Sequence, residues 1–177
     1  MGRVWIGILA LAVSALSLRA GETLSVSLAW PQRQWPSPDG VSTADDNSRS
    51  LSNSDVIPVL LRNDSDQPLR LVNADGSRGY ANLSFRIDLD DGKSVSIRQK
   101  EIFAWSANPF YFWLLQPGET LVLNVKMYDG SWAWDEAALR GHRGMMAPVY
   151  EENASDSGRK ALVWTGHAEG KGVPVQF

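Results

Sequence analysis

From Asn82 to Leu89 the chain alternates strictly, with Leu83, Phe85, Ile87 and Leu89 on one side of an extended backbone and Asn82, Ser84, Arg86 and Asp88 on the other. Successive side chains of a strand point to opposite faces, so the pattern describes a strand with one face in a core and the other in water. A helix would scatter the same residues around its axis. The alternation recurs from Thr23 to Trp30, at Ile57, Val59 and Leu61, at Leu69 and Leu71, at Val95 and Ile97, and at Leu121, Leu123, Val125 and Met127. Met145 to Glu151, Lys160 to His167 and Val173 to Phe177 are further strand candidates, and Trp134 to Leu139 is the one helix-like stretch.

Turn formers separate these runs. Asp90-Asp91-Gly92-Lys93 predicts a hairpin, Asn63 to Pro68 a turn, and Pro117-Gly118 the two central positions of a type II turn. Pro58 cannot donate to a ladder, which predicts an edge strand or a bulge there. Seven to nine short strands at roughly 8–12-residue spacing predict an all-β chain, an immunoglobulin-like antiparallel β-sandwich. No repeat of about 20–50 residues is present, which argues against a solenoid or propeller.

Residues 31–55 break the pattern. Pro, Ser, Asp, Asn and Gly dominate there, with Trp35, Val41 and Leu51 as the larger apolar side chains, and the expectation is a long loop whose composition favours disorder. Residues 1–20 have Arg3, an apolar stretch from Val4 to Leu16 and small residues up to Ala20, the layout of a signal peptide. Ser14, Ser17 and Arg19 interrupt the run before it reaches the roughly 20 residues of a membrane span. The expectation is therefore an exported chain of the bacterial type, periplasmic or extracellular, with residues 21–177 forming one domain and no membrane span in the mature part.

With Arg3 and Arg19 removed from the 17 basic residues, 20 acidic residues leave a net charge of about −5. An acidic chain without a basic run does not suit phosphate-backbone binding, so no nucleic-acid partner is expected. The chain has no cysteine. Disulfides, thiol chemistry and thiolate metal sites are all excluded, and the fold must rest on packing.

Phe110, Tyr111, Phe112 and Trp113 cannot form a flat four-ring platform in a strand, because alternate rings face opposite ways. Leu114 and Leu115 prolong the run, so burial on both sides is expected. Trp132 and Trp134 follow an Asp129-Gly130 turn, and Trp35 lies in the long polar segment. Exposed, these three rings would be the ligand-binding candidates, for a glycan or a protein partner; folded back, they would close one end of the sandwich.

Residues 55–130 read Asn63-x-Ser65, Pro68-Leu69, Gly79-Tyr80, Leu83-x-Phe85, Asp91-Gly92-Lys93, Trp105 and Leu115-Gln116-Pro117-Gly118-Glu119. This order resembles uncharacterised exported Ig-like domains and, more distantly, the BsuPI-type proteinase-inhibitor domain. The resemblance implies a compact β-sandwich in which the Asn-x-Ser opens a turn and the Leu-x-Pro-Gly-Glu links two strands. It covers under half the chain and carries no inhibitory loop over.

Catalytic groupings are weak. His142 and His167 lie in different segments without metal-ligand spacing. No Gly-x-Ser-x-Gly occurs. Asp88-Leu89-Asp90-Asp91-Gly92 has its glycine one place early for an EF-hand and Gln99 where the bidentate Glu belongs, so it reads as a hairpin. Asn63, Asn82 and Asn153 begin glycosylation triplets, read here as chance in a Ser- and Asn-rich chain. The expectation is a module without catalysis or cofactor that binds or supports structure at the cell envelope, with a carbohydrate-binding or carbohydrate-active role and proteinase inhibition as alternatives.

Overall fold

The computed structural model describes residues 24–29, 49–50, 56–73, 82–100, 111–153 and 160–177. Its strands are β1 (Leu24–Leu28), β2 (Arg49–Ser50), β3 (Val56–Asn63), β4 (Leu69–Asn73), β5 (Leu83–Leu89), β6 (Ser94–Gln99), β7 (Tyr111–Leu115), β8 (Thr120–Lys126), β9 (Trp132–Ala133), β10 (Arg143–Glu152), β11 (Gly166–Glu169) and β12 (Val173–Gln176). A single helical turn, α1 (Glu136–Leu139), is capped by Asp135, whose carboxylate accepts from the Ala137 and Ala138 amides. Twelve strands among the described residues exceed the seven to nine expected because two-residue pairings such as β2 and β9 leave no periodic signal.

The chain is all-β, in antiparallel sheets apart from one short parallel contact between β2 and β12. A three-stranded sheet has the order β1-β3-β8, a two-stranded sheet pairs β4 with β7, and the largest sheet runs β2-β12-β10-β5-β6-β9 with β11 also on β10. Val26, Val59, Leu61 and Leu123 from the first sheet share one buried core with Leu71 and Leu115 from the second and Phe85, Ile87, Met146 and Val175 from the third. At about 1.5–3 kcal/mol for each large apolar side chain buried, this sandwich-like packing replaces the missing disulfides.

Two corners interlock. The chain passes from β3 to β4 and from β7 to β8, while β3 pairs with β8 and β4 with β7. Fully buried Asn63 clips the corners together: its Nδ2 donates to the Gln67 carbonyl at 2.8 Å and the Leu115 carbonyl at 3.0 Å, and its Oδ1 accepts from the Ser65 amide and hydroxyl. The Asn63 amide donates to the Glu119 carbonyl, and the Gly118 amide donates to the Asn63 carbonyl. Gly118 has φ +78° and the Glu119 amide reaches the Gln116 carbonyl at 2.9 Å, as a type II turn requires. Asn63 is thus a structural clip, and both its amide donors are engaged.

The strand positions of proline follow one rule. In an antiparallel ladder the N–H and C=O of a residue point the same way. Pro58 was expected at an edge or bulge, yet β3 is the central strand of its sheet. Its carbonyl accepts from Ala29, just past the end of β1, so the missing donor falls where that ladder stops. Pro148 repeats the device in β10: its carbonyl accepts from Gly170, in the gap where the chain leaves β11 for β12. Gly170 must be glycine, because a Cβ would stand 2.3 Å from the Val26 carbonyl oxygen.

Three further expectations need correction. Lys160 to His167 is not one strand; β11 begins only at Gly166, after a turn in which Leu162 has φ +54°. Within 31–55, Arg49–Ser50 is a short strand, and the rest of that segment lies outside the described residues. The aromatic run is not buried on both sides: Trp113 and Leu115 face the core, whereas Phe112 and Leu114 are 40% and 49% exposed. β7 has a partner sheet on one face only, so a continuous apolar run is split by the pleat.

Candidate functional site

The three tryptophans proposed from sequence do not form one surface. Trp35 lies outside the described residues. Trp132, 4% exposed, is part of the core and meets Phe85 edge-on with ring centroids 5.5 Å apart. β9 pairs Trp132 with Gln99 and Ala133 with Arg98, so the pleat sends the indole inward and the methyl group out. Trp132 therefore takes the folded-back position in this fold rather than an exposed one. Trp134 is half-buried and packs edge-on against exposed Tyr128 at 5.4 Å.

A different apolar surface lies on the outer face of the β4–β7 pair. Phe112 and Leu114 stand next to each other along β7, and the Arg70 guanidinium lies 4.9 Å from the Phe112 ring centroid. Arg70 also donates to the Ala161 carbonyl at 2.7 Å, and the Trp164 amide donates to the Arg70 carbonyl. These bonds hold the 161–164 turn against β4. Leu162, at its tip, is 76% exposed in a left-handed backbone conformation that bulky residues rarely adopt.

A polar recess of about 300 Å³ lies on the largest sheet, lined by Asn82, Ser84, Arg98, Glu151, Glu152 and Asn153. Ladder register positions it: Ser84 of β5 is opposite both Arg98 of β6 and Val149 of β10, and the Glu151 amide donates to the Asn82 carbonyl. The Asn82 amide group donates to Glu152. Burial raises the Glu152 pKa above its ordinary value, and the Asn82 bond opposes that rise. Beneath, Tyr150 is fully buried and its hydroxyl has no well-formed hydrogen bond to the protein. Burial pushes its pKa up to about 12, with the Glu152 charge adding to the rise and the adjacent Asn82 amide opposing it.

The remaining titratable candidates serve the hairpin and the ladder. His142 Nδ1 lies 2.9 Å from Asp90, joining the β5–β6 turn to the start of β10. That contact is the main reason the Asp90 pKa is lowered. The Asp91 pKa is lowered mainly by its hydrogen bond from Lys93, and the Asp88 pKa mainly by Ser94. The three carboxylates are thus held by separate partners. His167 stands 3.8 Å from Glu151 and 3.7 Å from Glu169. Among the described residues no three His, Asp or Glu side chains group as a metal site would, and no described helix is long and apolar enough to cross a membrane.

The fold and these two surfaces describe an all-β, sandwich-like chain with one apolar and one polar feature. Compared with known families, characterised proteins and solved structures, it matches none.

Nothing in the sequence pattern separated Phe112 and Leu114 from core residues, since the partner sheet lies on one face only. Arg98, Glu151 and Glu152 come from three distant segments, and only register brings them to one recess. Leu162 has a faint signal: a lone Leu between Lys160 and Gly166 in a stretch whose pattern predicts a strand.

Proposed function

We propose that the chain is an exported, non-catalytic Ig-like β-sandwich that works as a protein-binding module at the cell envelope. The observation that carries this reading is the surface formed by Phe112, Leu114 and Leu162 around Arg70. Exposed apolar side chains are ordinary when scattered, but grouped beside a turn with a left-handed Leu they have the composition of an interaction surface. Arg70 and exposed Lys160 form no ion pair among the described residues. The surface therefore suits a partner segment with an apolar side chain flanked by carboxylates. Export rests on the signal-like residues 1–20.

Site-specific photo-crosslinking in the envelope of the expressing cell tests this. A crosslinker at Leu162 is expected to give a discrete protein adduct, which a Phe112→Ser/Leu114→Ser double variant abolishes and a crosslinker at Arg62 does not give. No adduct, or an adduct that survives the double variant, overturns the reading. A second reading, a BsuPI-like proteinase inhibitor, draws on the same protruding Leu162, since an inhibitor must present a side chain on an exposed turn. Absence of inhibition across a panel of serine proteinases at micromolar protein removes it.

A further inference from the structure

We propose that the polar recess between β5, β6 and β10 is a second binding site, one that takes a neutral saccharide. It stands apart from the apolar surface and from the function assigned to that surface.

Arg98, Glu151, Ser84 and Asn153 converge on the recess without satisfying one another. Arg98 uses Nε on Ser96 at 3.1 Å, and its terminal nitrogens hold no hydrogen bond or ion pair among the described residues. Glu151 is in the same recess, and its carboxylate stands 3.8 Å from the His167 ring, beyond hydrogen-bond distance. Ser84 and Asn153 add a hydroxyl and an amide with no side-chain bond among the described residues. Groups of opposite sign that share a recess can pair with each other. Here donors and acceptors instead line one hollow.

Such a lining selects by chemistry. A carboxylate only accepts and a guanidinium only donates, whereas a sugar hydroxyl does both. Neighbouring ring hydroxyls can engage a guanidinium or a carboxylate in pairs. A phosphate or other anion would meet Glu151 and Glu152, a cation would meet Arg98, and an apolar molecule would leave all of them desolvated and unpaired. A neutral polyol offends none. About 300 Å³ is at the small end of ligand sites, which run from roughly 300 to 1,000 Å³, and suits one or two sugar rings.

Two features make this a site rather than a dent. Ser84, Arg98, Glu151 and Glu152 are carried by paired strands, so their backbone spacing is held by the ladders. The Tyr150 hydroxyl, fully buried and without a well-formed hydrogen bond, adjoins Asn82 and Glu152. An unpaired buried hydroxyl is a cost that persists in native structures for a reason. When a ligand draws Glu152 away from Asn82, that hydroxyl can bond the freed amide group and recover the cost.

Titration of the ¹⁵N-labelled chain with glucose, galactose, mannose, N-acetylglucosamine, cellobiose, maltose and lactose tests the proposal. Saturable shifts are expected for at least one sugar, at the backbone amides of Ser84, Arg98 and residues 151–153, with affinity about 1 mM or tighter. Arg98→Ala and Glu151→Gln should each weaken it at least about tenfold, while Arg62→Ala on the other sheet leaves it unchanged. Both test positions are exposed, so dispersed spectra will show that the variants fold. Silence across the whole sugar set overturns the proposal. So do shifts that persist in both variants, or a saturable response at these amides to calcium chloride alone.

Discussion

Asn63 and Tyr150 are both fully buried and both polar, and they have opposite fates. Asn63 spends its side chain on four hydrogen bonds that tie the β3–β4 corner to the β7–β8 turn. Tyr150 keeps a hydroxyl without a well-formed hydrogen bond beside Asn82 and Glu152, two groups of a recess in which Arg98 and Glu151 leave bonding capacity unused. A satisfied buried amide specifies a fold, because every alternative packing leaves it unbonded. An unsatisfied one beside a polar hollow contributes nothing to folding, which makes function the more economical explanation.

The contrast would break first at Asn63. Replacing Asn63 with Ala strands the Gln67 and Leu115 carbonyls and is expected to cost about 3 kcal/mol in urea unfolding. A loss below about 1 kcal/mol would show that the corners hold without the clip.

Tyr150 gives the next largest effect, at high pH. Its folded pKa of about 12 lies above the ordinary 10.0, so its contribution is complete below pH 10 and is lost as pH rises through 12. Somewhat under about 3 kcal/mol should disappear across that window. Tyr150→Phe should flatten that part of the stability curve and cost little at neutral pH, because no well-formed hydrogen bond is removed. If the Phe variant proved as destabilised as Asn63→Ala, the distinction between the two sites would fail.

Ser65→Ala sharpens the closed side. It removes the hydroxyl shared between Asn63 Oδ1 and the Gln67 carbonyl but keeps the Ser65 amide bond, so about 1 kcal/mol is expected from thermal unfolding. Glu152→Gln sharpens the open side and has the smallest effect. Burial raises the Glu152 pKa above 4.5, so the protonated form suits the fold and its stability contribution is lost as pH rises through the folded value. The Gln variant should match wild type at acid pH and exceed it at neutral pH, as read from denaturation midpoints at both.

Much of the sheet structure was legible in the chain. β5 and β8 follow their alternation, and the Asp90–Lys93 hairpin its turn residues, with Gly92 at φ +84°. The Asn-x-Ser and Leu-x-Pro-Gly-Glu motifs were both readable as turns. That they form one corner was not, because the Asn63 to Leu115 bond spans 52 residues.

Alternation and turn chemistry are local, and a strand carries them wherever it packs, so an all-β chain with its hairpins could be read from residue order. Which face of a strand finds a partner sheet is a non-local matter. Packing alone therefore buried Trp132, left Phe112 and Leu114 exposed between the core-facing Trp113 and Leu115, and gathered Arg98, Glu151 and Glu152 around one hollow.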